Sequence, residues 1–142
     1  MSVYLDHAAS TPLRAEAKSA WMDASDVAGN ASSVHADGQA ARRLLESARE
    51  QVASTLGCEP IEVLFTSGGT ESINTAVKGL WWSRVDGADS IVLPDGEHHA
   101  TMDAVQWLHG AEAATVRRVR LTPTGAVDTD DFLRALPGAA LA

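Results

Sequence analysis

A single cysteine, Cys58, occurs in 142 residues, so no disulfide can close within the chain and a reducing compartment is expected. Basic residues are scarce: 11 Lys and Arg stand against 19 Asp and Glu, a formal net charge of −8. That deficit argues against a nucleic-acid partner, because neutralising phosphates needs clustered cations. The one dense basic stretch, Arg117, Arg118 and Arg120, lies in a segment of strand character and reads as a solvated strand face or edge. Long apolar runs are lacking too. The opening Met1-Ser2-Val3-Tyr4-Leu5-Asp6-His7 has neither a basic leader nor an apolar stretch. No secretory signal and no membrane anchor is expected, and the location inferred is cytoplasmic. Metal-ligand spacing is also missing. His7, His35, His98 and His99 with Asp6 and Glu97 could gather, but no His-x-x-x-His occurs and Cys58 has no second cysteine, so no metal is expected.

Hydrophobic residues make up 45% and charged residues 21%, the balance of a soluble globular protein of about one domain. Pro12 introduces a helix expected from Leu13 to Asp23, and Gly29-Asn30-Ala31-Ser32-Ser33 reads as a loop. The clearest helix follows. Ala41, Leu44, Leu45, Ala48, Val52 and Leu56 recur at helical spacing, and Gly57 stands where a left-handed cap belongs. Glu62-Val63-Leu64-Phe65-Thr66 predicts a strand, and Ile73, Ala76, Val77 and Leu80 one face of the next helix. Ser90–Leu93 predicts a second strand, a helix then runs from Glu97 or His98 to about His109, and Thr115–Leu121 predicts a third strand. Asp128 or Thr129 caps a last helix containing Phe132, Leu133 and Leu136.

Strands alternating with helices from Ile61 onward predict an α/β fold, a mainly parallel sheet flanked by helices. The organisation expected is an N-terminal segment over residues 1–14 and an incomplete α/β domain over 15–142. Pro137–Ala142 follows a helix where the alternation calls for another strand, so the ending is expected to be a truncation.

Two segments carry chemistry. In Phe65-Thr66-Ser67-Gly68-Gly69-Thr70-Glu71-Ser72 a strand gives way to a Gly-rich turn that opens a helix. The first amides of a helix lack intrahelical partners and carry partial positive charge, glycines admit close approach, and the hydroxyls of Ser67, Thr70 and Ser72 can donate further. Such a turn can cradle a phosphate or merely reverse the chain, and the pattern leaves both open. It is neither a Walker loop nor a dinucleotide fingerprint. Glu97-His98-His99 starts a helix at the same predicted sheet edge, where ligands of open parallel sheets gather. A neutral imidazole there can stack on an aromatic ligand and exchange protons with it; two solvated histidines of a first turn would look the same.

Tyr4-Leu5-Asp6-His7-Ala8-Ala9-Ser10-Thr11-Pro12 resembles the opening motif of the cysteine desulfurases, pyridoxal-phosphate enzymes of the class V aminotransferase group. Gly29–His35 is similar to their next loop, Phe65–Asn74 to their phosphate turn, and Glu97-His98-His99-Ala100 to their cofactor-stacking segment. The four motifs come in the family's order and span the chain. The form of the phosphate turn is similar to the branch serving iron–sulfur assembly and tRNA thiolation.

The resemblance implies the large domain of a fold-type I enzyme. Gly69 and Thr70 would hold the phosphate of pyridoxal phosphate, and His98 would lie over its ring and act as an acid/base group. Asp6, His7 and Ala8 would shape the substrate mouth. The implied reaction takes sulfur from L-cysteine through an aldimine, leaving alanine and an enzyme persulfide. A homodimer when full length and a sulfur-acceptor protein are implied as partners.

The family's Ser-x-His-Lys segment is absent. Only Lys18 and Lys78 occur; Lys78 falls on the helix face opposite Ile73 and Val77 and is expected to be solvated. Cys58 reads as a small buried hydrophobe, because the family's persulfide cysteine lies far downstream. No desulfurase activity is expected from these residues alone. Two other readings stand beside this one: a non-catalytic phosphate-binding or partner-dependent α/β module, and a related enzyme such as a selenocysteine lyase or an aminotransferase.

Overall fold

A computed structural model describes residues 3–142 and divides the chain between Leu64 and Phe65 into two compact units. The first holds α1 (Ala15–Ser25), α2 (Ala36–Leu56) and a 3-10 turn at Pro60–Glu62. His35 caps α2 through Nδ1, which accepts the Gly38 N–H at 3.4 Å, and Gly57 ends the helix at a left-handed φ of 71°. The small residues of the 29–33 loop have a steric purpose. A Cβ on Gly38 would come within 2.6 Å of Ser33 Cβ and of its carbonyl oxygen, and one on Gly29 within 2.4 Å of the Asp37 carbonyl. Loop and helix start therefore touch backbone to backbone. Glu46 pairs with Arg49 at 3.1 Å, and the Arg49 guanidinium also donates to the Val63 carbonyl.

The apolar stripe of α2 is mostly not core: Leu44, Leu45, Val52 and Leu56 are exposed, as are Trp21 and Met22 of α1. Of the residues in α2, Gly38 and Ala53 are buried. Among the described residues the unit has no sheet against which a helix stripe can be covered.

The second unit is α/β. It contains α3 (Gly69–Trp82), β1 (Ser90–Pro94), α4 (His99–Glu112), β2 (Thr115–Val119), α5 (Thr129–Ala135) and β3 (Ala139–Leu141). Its three strands are parallel in the order β2-β1-β3, with Ser90 opposite both Thr115 and Ala139. The path from β1 to β2 moves one way across the sheet and the path from β2 to β3 moves back past β1. Right-handed crossovers then require α4 and α5 on opposite faces. The side chains agree. Arg117 reaches the end of α5, donating to the carbonyls of Ala135 and Pro137 at 2.8 and 2.7 Å, while its neighbours Val116 and Arg118 border a cleft with Met102, Val105 and Gln106 of α4.

β1, in the centre, is buried from Ser90 to Leu93. Ile91 and Leu93 meet Trp81, Val105, Leu108 and Ala114 in the core. Trp81 carries the Arg84 guanidinium 3.8 Å from its ring centroid, and its buried Nε1 has no hydrogen-bond partner among the described residues.

Two expectations are corrected. The strand predicted at Glu62–Thr66 does not form: Glu62 closes the 3-10 turn, residues 63–66 join no sheet, and Leu64 is exposed. An extended run becomes a strand only with a ladder partner, and none of the three described strands pairs with it. Conversely, the strand expected to follow α5 is supplied by Ala139–Leu141 itself, on the free edge of β1.

Lys78 differs too. Its Nζ lies 4.6 Å from the Trp107 ring centroid, a cation–π contact joining α3 to α4. Cys58 is half-buried and unpaired. Among the described residues no helix is long and apolar enough to cross a membrane, and no three His, Cys, Asp or Glu side chains gather to hold a metal ion.

Candidate functional site

α3 and α4 run in the same direction. Trp81, near the end of α3, packs with Leu108 near the end of α4, and Lys78 reaches Trp107 in the same half. The N-termini of both helices therefore lie at one end of the sheet, the carboxyl end of β1. That is where strand order reverses between β2 and β3, the position at which open α/β sheets hold ligands. Gly69 and Thr70 begin α3, and His98 is the N-cap of α4. Three of the residues singled out from sequence thus share one edge, and two helix dipoles present their positive ends there.

The turn before α3 is held by side chains. Glu71 Oε2 accepts from the Ser67 N–H at 2.7 Å and from the Ser67 hydroxyl at 2.6 Å. Thr66 Oγ1 donates to the Gly68 carbonyl at 3.1 Å and lies 2.6 Å from Ser72 Oγ. The Ser67 and Ser72 hydroxyls, expected to face an anion, are thus engaged within the turn. Sequence reading missed Glu71; the signal was a carboxylate four residues after a serine at a helix start. The two Ser67 bonds, the hydroxyl foremost, hold the Glu71 carboxyl below the ordinary glutamate value.

What the turn leaves unused is specific. The amides of Gly68, Gly69 and Thr70 and the Thr70 hydroxyl have no hydrogen-bond partner among the described residues. Nothing lies within 4 Å of where a Cβ on Gly68 or Gly69 would sit, so the surface above them is open. Unused donors, open space and two dipole ends fit a phosphate monoester.

His98 Nδ1 accepts the Ala100 N–H at 3.1 Å. In the neutral ring the proton therefore resides on Nε2, which makes no bond among the described residues. The exposed His99 ring stands 6.3 Å from that of His98 at 65°. The loop before His98 packs closely at Gly96, where a Cβ would meet Leu121 Cδ1 at 3.0 Å. Arg118 pins the same loop through Asp95 at 2.9 Å. Asp6, His7 and Ala8 form a turn in the other unit, where Asp6 Oδ1 accepts the Ala9 N–H at 3.3 Å and Tyr4 meets the His7 ring edge-on at 5.3 Å.

The family model for aminotransferase class V matches residues 3–140. This chain belongs to the class-V aminotransferase family. Its relatives include the IscS-like cysteine desulfurase of Mycobacterium tuberculosis, 46% identical over 136 residues, a match covering 94% of this chain and 35% of that protein. The cysteine desulfurase IscS of Dictyoglomus turgidum is 39% identical over 137 residues, covering 94% of this chain and 34% of that one. Among solved structures, a NifS-like protein superposes with a TM-score of 0.82 at 29% identity, over 96% of this chain and 37% of its own. DndA from Streptomyces lividans superposes with a TM-score of 0.74 at 35% identity, over 96% and 39%. The chain spans about a third of the length of the relatives it matches. The α/β architecture and the family expected from sequence are thus both found.

Proposed function

We propose that this chain forms the phosphate-holding part of a pyridoxal-phosphate-dependent cysteine desulfurase. The observation carrying the reading is the set of three consecutive amides, Gly68 to Thr70, left without acceptors at the same sheet edge as His98. The names of the relatives supply the substrate, cysteine, and the products would be alanine and an enzyme persulfide.

When bound, pyridoxal phosphate supplies an electron sink for charge developing on the amino acid. The Gly69 and Thr70 amides and the Thr70 hydroxyl would hold its phosphate by charge-assisted hydrogen bonds. His98 would cover the ring, with Nδ1 fixed by its helix cap and Nε2 positioned to hold or pass a proton. Within the α/β unit no cysteine occurs, and its one lysine, Lys78, is turned to Trp107. No turnover of L-cysteine is expected from these 142 residues alone.

The test is calorimetric titration of the chain with pyridoxal phosphate and, separately, with pyridoxal. The phosphate ester should bind the more tightly, and Thr70→Ala should narrow the difference about tenfold by removing one charge-assisted bond. Equal affinity for the two compounds would sink the proposal. A non-catalytic, partner-dependent phosphate module is the second reading, favoured by the exposed apolar side chains of α1 and α2. It predicts the same phosphate preference without any acid/base role for His98.

A further inference from the structure

In an ordinary capping box the carboxylate at the third helical position accepts the backbone N–H of the N-cap residue. At α3 the N-cap is Gly68 and the third helical residue is Glu71. The carboxylate nevertheless passes over Gly68 and takes both donors of Ser67. An ordinary box would have occupied the Gly68 amide. This displaced one leaves it unused, together with those of Gly69 and Thr70. The tie between Thr66 and Ser72 lies beside it, so the turn is fastened at its base and open at its tip.

We infer that Glu71 is a positioning residue: it anchors Ser67 so that the amides of Gly68, Gly69 and Thr70 stay ordered and vacant for the phosphate, without touching the phosphate itself. The inference rests on the phosphate reading proposed above. Its rival is that Glu71 merely caps α3, in which case its negative charge opposes an anion at the same helix end. The two ideas predict opposite signs. Removing the carboxylate should weaken phosphate binding if it positions the turn and strengthen binding if it only repels.

pH supplies a second axis. The hydrogen bonds from Ser67 favour the ionised carboxyl and lower its pKa. Their ordering effect is therefore fully present above the ordinary glutamate value and is lost as pH falls through the lowered one.

The experiment compares the 142-residue chain with Glu71→Ala and Glu71→Gln by amide hydrogen exchange and by titration with pyridoxal phosphate, with pyridoxal as the phosphate-free control. For Glu71→Ala, exchange at Ser67 should quicken about tenfold and the Kd for pyridoxal phosphate should rise about three- to tenfold, the size of one or two lost hydrogen bonds. Pyridoxal affinity and exchange beyond Ile73 should not move. Glu71→Gln keeps an acceptor oxygen at the same reach and should fall between; it carries the test if the alanine variant does not fold. Unchanged exchange, or tighter pyridoxal phosphate binding in either variant, overturns the inference. If the unaltered chain binds pyridoxal phosphate no better than pyridoxal, the phosphate reading fails and the role of Glu71 fails with it. If the chain does discriminate and Glu71→Ala matches it, only the role of Glu71 falls.

Discussion

Replacing Leu108 and Leu56 by alanine, one at a time, compares two leucines with identical chemistry on two helical stripes. Leu108 is 0% exposed against Trp81 and Val105, whereas Leu56 is 71% exposed at the end of α2. Each substitution removes three carbons. At about 0.8 kcal/mol per buried methylene, the transfer loss at Leu108 is about 2.4 kcal/mol, and the cavity left in a packed core raises it towards about 4 kcal/mol. At Leu56 most of the side chain is already in water, so the loss should stay under about 0.7 kcal/mol by the same coefficient. With a urea slope of about 2 kcal/mol per molar, Leu108→Ala should lower the midpoint by about 1 to 2 M, and Leu56→Ala by under about 0.4 M. Unfolding followed by far-UV circular dichroism gives the midpoints, and amide exchange assigns each loss to its unit. Equal losses at the two sites would refute the reasoning, because they would mean that the α2 stripe is covered as thoroughly as the core of the α/β unit.

Gly38→Ala should cost about 1 to 3 kcal/mol, read as a lower thermal midpoint, because the added carbon meets Ser33 and the Asn30 carbonyl, which sits 2.7 Å away. Unaltered melting would show that the 29–33 loop can yield. Arg117→Met keeps the stem but removes the donors to the Ala135 and Pro137 carbonyls, and should cost about 1 to 2 kcal/mol locally. The expected signature is faster amide exchange in β3 with β1 and β2 unchanged.

Much of this was legible because the signals were local. Gly57 ends α2, Asp128 accepts the Asp131 N–H at 3.0 Å to begin α5, and His98 begins α4. The motifs of the turn and the histidine pair were likewise contiguous, and they placed the candidate site before any fold was known. What sequence could not show depended on distant partners. Val63–Thr66 has strand composition but pairs with none of the described strands, whereas Ala139-Ala140-Leu141 has weak strand propensity and pairs because β1 offers an edge. Lys78 read as solvated because helical spacing cannot reveal Trp107 on the neighbouring helix. Glu71 received no role from sequence because the displacement of its bond from Gly68 to Ser67 is a matter of side-chain path.

The strand order also bears on synthesis. β1 gains one neighbour from residues 115–119 but the other only from residues 139–141, about fifty residues after β1 itself is made. A chain growing from its amino end must therefore carry its central strand with one flank open while α4, β2 and α5 are added. Leu141, which packs against the core beside Ile91, closes that flank. Loss of the last few residues would leave most of the unit's sequence intact yet return its most buried strand to the unprotected state of a nascent chain.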